Sequence, residues 1–249
     1  MSTRARGRSV PWLGAATLAS LAVLALLALV VAPPDATQGD AQRLMYLHVP
    51  AAWLAYLAYA ITSLASLLWL WPRTRSTRWD LLAGASAEVG VVFTGLTLAL
   101  GSIWGRPIWG VWWTWDARLT TTAVLFFLYL GYLALRRMGG GVDARAKRSA
   151  IAALVAFVDV PIVHFSVTWW QTLHQTGTVF NRRLQVEIGG TMAWTLVWGV
   201  LAFTLLYVYL VVRRVRLAEL EDGLEERELR RAIDERLAAE GATPMEAGV

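Results

Sequence analysis

The chain of 249 residues has no cysteine. That absence excludes a disulfide framework, a thiolate-ligated zinc or iron–sulfur site, and the Cys-x-x-Cys-His attachment of c-type haem. Any metal or cofactor must be held by nitrogen or oxygen. Histidine is almost as scarce: with only His48, His164 and His174, a three- or four-ligand zinc site would use all of them or recruit carboxylates. A two-ligand site is easier to build. Charge is thin at 16%, against 57% hydrophobic residues and a mean hydropathy of +0.48, which marks a membrane protein. P-loops, glycine-rich phosphate cradles and internal repeats are absent, and Gly139-Gly140-Gly141 reads as a flexible turn. With no catalytic constellation, the chain is expected not to be an enzyme.

What is abundant is apolar sequence in long runs. A helix needs about 20 apolar residues to cross roughly 30 Å of hydrocarbon, and six stretches qualify: 12–32, 46–71, 81–103, 119–138, 150–168 and 190–212. The expected fold is an all-α polytopic membrane protein of six transmembrane helices. The first stretch opens like a signal peptide but is too long, and Pro33-Pro34-Asp35 is a poor cleavage site, so it reads as a retained span.

Orientation follows from the bias of Arg and Lys between loops. The N-terminus, the loops after the second and fourth spans and the exit from the sixth hold fourteen basic residues, whereas the three opposite loops hold five: Arg43, Arg106, Arg118, Arg182 and Arg183. Both termini are therefore expected in the cytoplasm, with loops 33–45, 104–118 and 169–189 facing outward. Residues 1–212 carry sixteen basic and eight acidic side chains, residues 213–249 seven and ten. The basic balance of the membrane part thus reflects orientation and does not point to nucleic acid. A six-helix membrane domain over 1–212 and a charged, helical cytoplasmic tail over 213–249 are expected.

Tryptophan is the second abundance, at 14 residues. Its apolar ring and N–H suit both membrane interfaces, which accounts for Trp12, Trp69, Trp71 and Trp79. It does not account for Trp104, Trp109, Trp112, Trp113 and Trp115, five rings within one outer loop beside Gly105, Pro107 and Gly110, with Trp169-Trp170 in another. Either a belt or a platform for a large planar apolar ligand fits, the platform better, because a belt scatters its rings. Haem, quinones and sterols are such ligands. His48, at the mouth of the second span with Pro50 read in its first helical turn, and His174, in the third outer loop, reach the same side, and two neutral imidazoles suffice for a bis-His haem site. A plain interfacial histidine is the alternative for each. His164, Asp159 and Glu88 lie within spans, where ionisable groups are functional candidates. Pro161 frees a carbonyl near residue 157, so Asp159 is equally read as accompanying a kink.

Three segments together resemble the CcmC family, haem exporter protein C, of bacterial cytochrome c maturation: Met45 to Trp53, Trp104 to Thr120, and Phe165 to Gln175. The middle segment resembles the family's WWD signature, and the likeness spans residues 12–212. The resemblance implies non-covalent haem b presented at the outer face of the bacterial inner membrane. His48 and His174 would be the axial ligands, and Trp104, Trp109, Trp112, Trp113, Trp115 and Asp116 the holding loop. It also implies transfer to the haem chaperone CcmE and a membrane complex with CcmA, CcmB and CcmD. Arg43 and Arg118 stand at positions the family treats as functional, where a guanidinium fork suits a haem propionate and a lipid headgroup is the alternative. Asp116 reads equally as the N-cap of the fourth span. At residue 164 the family usually has lysine. The competing classes are a bis-His cytochrome b-type electron-transfer subunit and a permease subunit without haem.

Overall fold

A computed structural model describes residues 9–174 and 189–241. Arg4, Arg6, Arg8, Arg182, Arg183, residues 175–188 of the third outer loop and residues 242–249 of the tail lie outside the described residues. Seven helices follow in order: α1 (Ser9–Leu26, prolonged by a π turn, Leu27–Val31), α2 (Met45–Leu70, preceded by a 3-10 turn, Asp40–Leu44), α3 (Thr77–Trp109), α4 (Ala117–Arg137), α5 (Val142–Phe157), α6 (Asp159–Trp169) and α7 (Gly190–Gly241). Among the described residues six segments are long and apolar enough to cross a membrane, α5 and α6 jointly forming one of them. The protein is an all-α, multi-pass membrane protein.

The α2–α3 pair is the centre of the bundle, and small side chains make it so. Ala51, Ala55, Ala58 and Ala65 on α2 and Ala83, Ala85, Ala87 and Gly90 on α3 are fully or nearly buried, which lets two backbones approach where apolar burial alone gives no drive in lipid. A Cβ on Gly90 would stand 2.6 Å from the Tyr59 ring. Tyr59 in turn stacks on Tyr129 of α4, centroids 3.6 Å apart, and shares a 2.7 Å hydrogen bond with Thr94. On the far side α7 packs through Tyr207, whose hydroxyl pairs with Ser86 at 2.7 Å. Trp69, expected in an interfacial belt, is instead buried against Ala146 and Ala150, with the Arg75 guanidinium 4.2 Å from its ring.

Helix ends follow local chemistry. Ser76 caps α3 by accepting from the Arg78 N–H, and Gly110 stops it in the left-handed conformation (φ 78°), donating its N–H to the Arg106 carbonyl. The fifth span breaks at Val158, between α5 and α6 and three residues before Pro161, which is the kink read beside Asp159. One oxygen of the buried Asp159 carboxylate has no partner. At the end away from the tryptophan run, Asp80 holds Arg136 through two bonds of 2.5 and 3.0 Å, and Glu88 grips Arg214 of α7.

Two local expectations are corrected. Pro50 is the sixth residue of α2, not part of its first turn, because the 3-10 turn hands over to α2 already at Met45. The Tyr46 carbonyl that Pro50 leaves without a helical donor is approached by Gly199 of α7, where a Cβ would lie 3.3 Å from it. The segment 104–118 is not all loop either. Helix α3 runs through Pro107 to Trp109, so Trp104 and Trp109 are helical and the loop proper begins at Gly110. Helix α7 continues without interruption past residue 212 as far as Gly241, so the described part of the tail is helical.

Candidate functional site

The site is assembled around the last turns of α3. His48, in the first turn of α2, meets Trp104 edge to face at 5.7 Å, and His174 meets Trp109 in the same way at 4.9 Å. Both imidazoles are thus set against tryptophans of one helix end. Two glycines make the room. A Cβ on Gly101 would come within 3.0 Å of His48 Cε1, and one on Gly105 within 2.8 Å of the Trp109 ring, which folds back over that glycine. His48 Nδ1 is buried without a hydrogen-bond partner, a state that ordinarily carries a cost.

Asp116 caps α4 with one oxygen and meets His174 with the other. As N-cap of α4, its Oδ1 accepts from the Leu119 N–H at 2.8 Å. Its Oδ2 accepts from the Thr172 hydroxyl and from the Leu173 N–H at 3.2 Å, and lies 3.0 Å from His174 Nδ1. The carboxylate therefore fixes the ring of His174 through Nδ1, and among the described residues nothing hydrogen-bonds Nε2, the arrangement by which carboxylates orient ligating histidines. Burial opposes the Asp116 charge, but its hydrogen bonds from Thr172, Leu119 and His174 outweigh that and hold its carboxyl below the ordinary value. For His174 burial dominates and lowers its basicity, against the pull of Asp116. Its neutral form is thereby favoured.

The two arginines have separate roles. Arg43 donates to the Ala28 and Ala32 carbonyls at the end of α1 and pairs with Asp40 at 2.8 Å, so much of its guanidinium is spent on tying α1 to the turn before α2. Arg118 donates from Nη2 to the His164 carbonyl at 2.9 Å, while its Nε is buried without a partner. It lies within electrostatic reach of both His48 and His174. Trp112 and Trp115 are exposed at 60% and 80%, Trp113 packs on Trp115 at 5.6 Å, and Trp104 donates to Gln38 at 3.0 Å. A hollow of about 640 Å³, within the range of ligand sites, is walled by Asp116, Val167, Trp170, Thr172, Leu173 and His174. Glu88 and Asp159 lie away from it, and among the described residues no three His, Asp or Glu side chains converge as a metal site.

Sequence reasoning missed Gly101, whose contact with His48 joins two helices and leaves no local signal, and Thr172, which completes the carboxylate's set of donors.

The fold and site define a polytopic helical membrane protein with an aromatic, imidazole-bearing site at one end. The chain belongs to the haem exporter protein C family, CcmC, whose model matches residues 1–230. It is similar to Heme exporter protein C of Bradyrhizobium diazoefficiens, 41% identical over 212 residues covering 84% of this chain and 78% of the relative. The Escherichia coli protein of the same name is 40% identical over 211 residues (84% and 83%), and that of Haemophilus influenzae 38% over 219 (87% and 87%).

Proposed function

We propose that the protein holds non-covalent haem b at the periplasmic face of the bacterial inner membrane and hands it on for cytochrome c maturation, without enzymatic chemistry of its own. The observation that carries the reading is the double use of Asp116, which anchors α4 with one oxygen and His174 Nδ1 with the other. Few structural roles call for an imidazole held so that one nitrogen stays free. The space that Gly101 leaves for the His48 ring, and the edge contact of that ring with Trp104, support a second ligand. His48 and His174 would hold haem there by offering neutral imidazole nitrogens to its iron, which would supply the redox-active centre.

The residues then divide the work. His48 and His174 ligate, Trp104 and Trp109 set their planes, and Arg118 offers its positive charge to a propionate. The exposed Trp112 and Trp115, with Trp113 beside them, form the edge where the chaperone CcmE touches haem and protein together. CcmA, CcmB and CcmD complete the membrane assembly. A cytochrome b-type subunit would hold its ligands within spans and pass electrons, and a permease would need no haem.

Absorption spectroscopy of the purified protein tests this. A six-coordinate low-spin spectrum is expected, lost in His48→Ala and in His174→Ala and restored by added imidazole. Both variants keeping the low-spin spectrum would overturn the ligand assignment, and unimpaired loading of CcmE in a deletion strain would favour the cytochrome.

A further inference from the structure

His164 is left over by this reading, and its surroundings are those of a binding group. It lies on α6, five residues before the helix ends at Trp169, about 7.5 Å below that end. It is exposed at a depth that the span assigns to the bilayer. Tyr56 of α2 meets its ring edge-on at 6.2 Å and Phe165 at 4.9 Å. These contacts set the ring plane, while among the described residues no side chain hydrogen-bonds its nitrogens. An exposed imidazole held in this way inside a span has no structural task to explain it.

Two features connect His164 to the upper site. The first is Arg118, which donates to the His164 carbonyl at 2.9 Å, has a buried, unpartnered Nε, and is within electrostatic reach of His48 and His174. One guanidinium therefore serves both levels. The second is an unbroken aromatic rail: Phe165 stacks on Trp169 at 5.5 Å, Trp169 meets Trp170 at 5.8 Å, and Trp170 walls the hollow that contains His174. All three rings are roughly half exposed.

We propose that His164 is a lower iron-binding station where haem taken laterally from the bilayer is first held, before it moves along the Phe165–Trp169–Trp170 rail to His48 and His174. The proposal rests on the haem-holding function above. At the lower station one imidazole binds the iron, and at the upper one two do. The extra axial bond gives the movement its direction, while a propionate stays on Arg118 and the macrocycle keeps an aromatic face beneath it.

The experiment follows the Soret band of purified protein in lipid nanodiscs mixed with vesicles carrying haemin. The wild type, His164→Phe, His164→Leu, the double variant His48→Ala/His174→Ala, and that double variant with His164→Phe are compared. Both His164 single variants should reach the wild-type low-spin spectrum at least fivefold more slowly. The double variant should give a one-to-one, five-coordinate high-spin complex that disappears when His164→Phe is added. His164→Phe and His164→Leu proteins that load at the wild-type rate would overturn the proposal, as would a double-variant spectrum indifferent to His164. A wild type without any six-coordinate spectrum would instead overturn the function on which the proposal rests. Circular dichroism of each variant shows that helix content is kept, and the two replacements at residue 164 guard against a packing defect peculiar to one of them.

Discussion

Asp116 and His174 form a pair whose charges can be set against each other. Both are depressed relative to their ordinary values of 3.8 and 6.5. The stability each contributes is therefore complete above its ordinary value and lost as pH falls through its folded one. In apo protein, NMR titration of the His174 ring should give a midpoint below 6.5, and Asp116→Asn should move it further down because the carboxylate's pull is gone. A midpoint at or above 6.5 would contradict the dominance of burial. Asparagine still offers an oxygen to the Leu119 N–H but turns its NH2 toward the Thr172 and Leu173 donors, so that variant should keep the cap, lose the stability of the paired carboxylate, and bind haem about 10- to 100-fold less tightly. Asp116→Ala should lose the same affinity and in addition about 1 kcal/mol of stability with the cap. The sequence displayed Asp116 both as a cap and as part of a signature. It could not show that the two roles belong to different oxygens, because the second depends on Thr172 and His174 arriving from 56 and 58 residues away.

The helices themselves were legible because hydropathy over twenty residues is a strong signal, and all six spans appear where the apolar runs lie. Their ends were less so. Gly105 and Pro107 read as loop formers, yet α3 continues through both. A single proline removes one helical hydrogen bond, and the Trp109 ring folded over Gly105 together with the Gly110 cap closes the last turn. Gly101 illustrates a different limit, a spacing between α2 and α3 that no periodicity reveals. Gly101→Val should drive the His48 ring from its place, since even a Cβ would sit 3.0 Å from it. The expected result is loss of the low-spin haem spectrum, with His174 ligation and far-UV circular dichroism retained. A normal low-spin spectrum in this variant would show that α2 and α3 yield more easily than their packing implies.

Across the whole molecule, the site requires its parts to share one membrane face. The fourteen-to-five split of basic residues predicts that this face lies outside. Reporter fusions after Gly39 and Gly110 should report the periplasm and one after Gly140 the cytoplasm, and an inward signal from either of the first two would separate the ligands. One element runs through every level of this arrangement. Helix α7 is gripped at Arg214 by Glu88 and abuts Pro50, two residues from His48, at Gly199. Its membrane part is pinned along its length, by Trp198 to the Ser20 carbonyl, by the Trp53 indole to Thr204 and by Tyr207 to Ser86. It is therefore a splint, not a spring: Glu88→Gln should loosen the tail alone, so that a spin label beyond Arg214 gains mobility while one beside Pro50 does not, and equal loosening at both would show that the ion pair holds the whole helix.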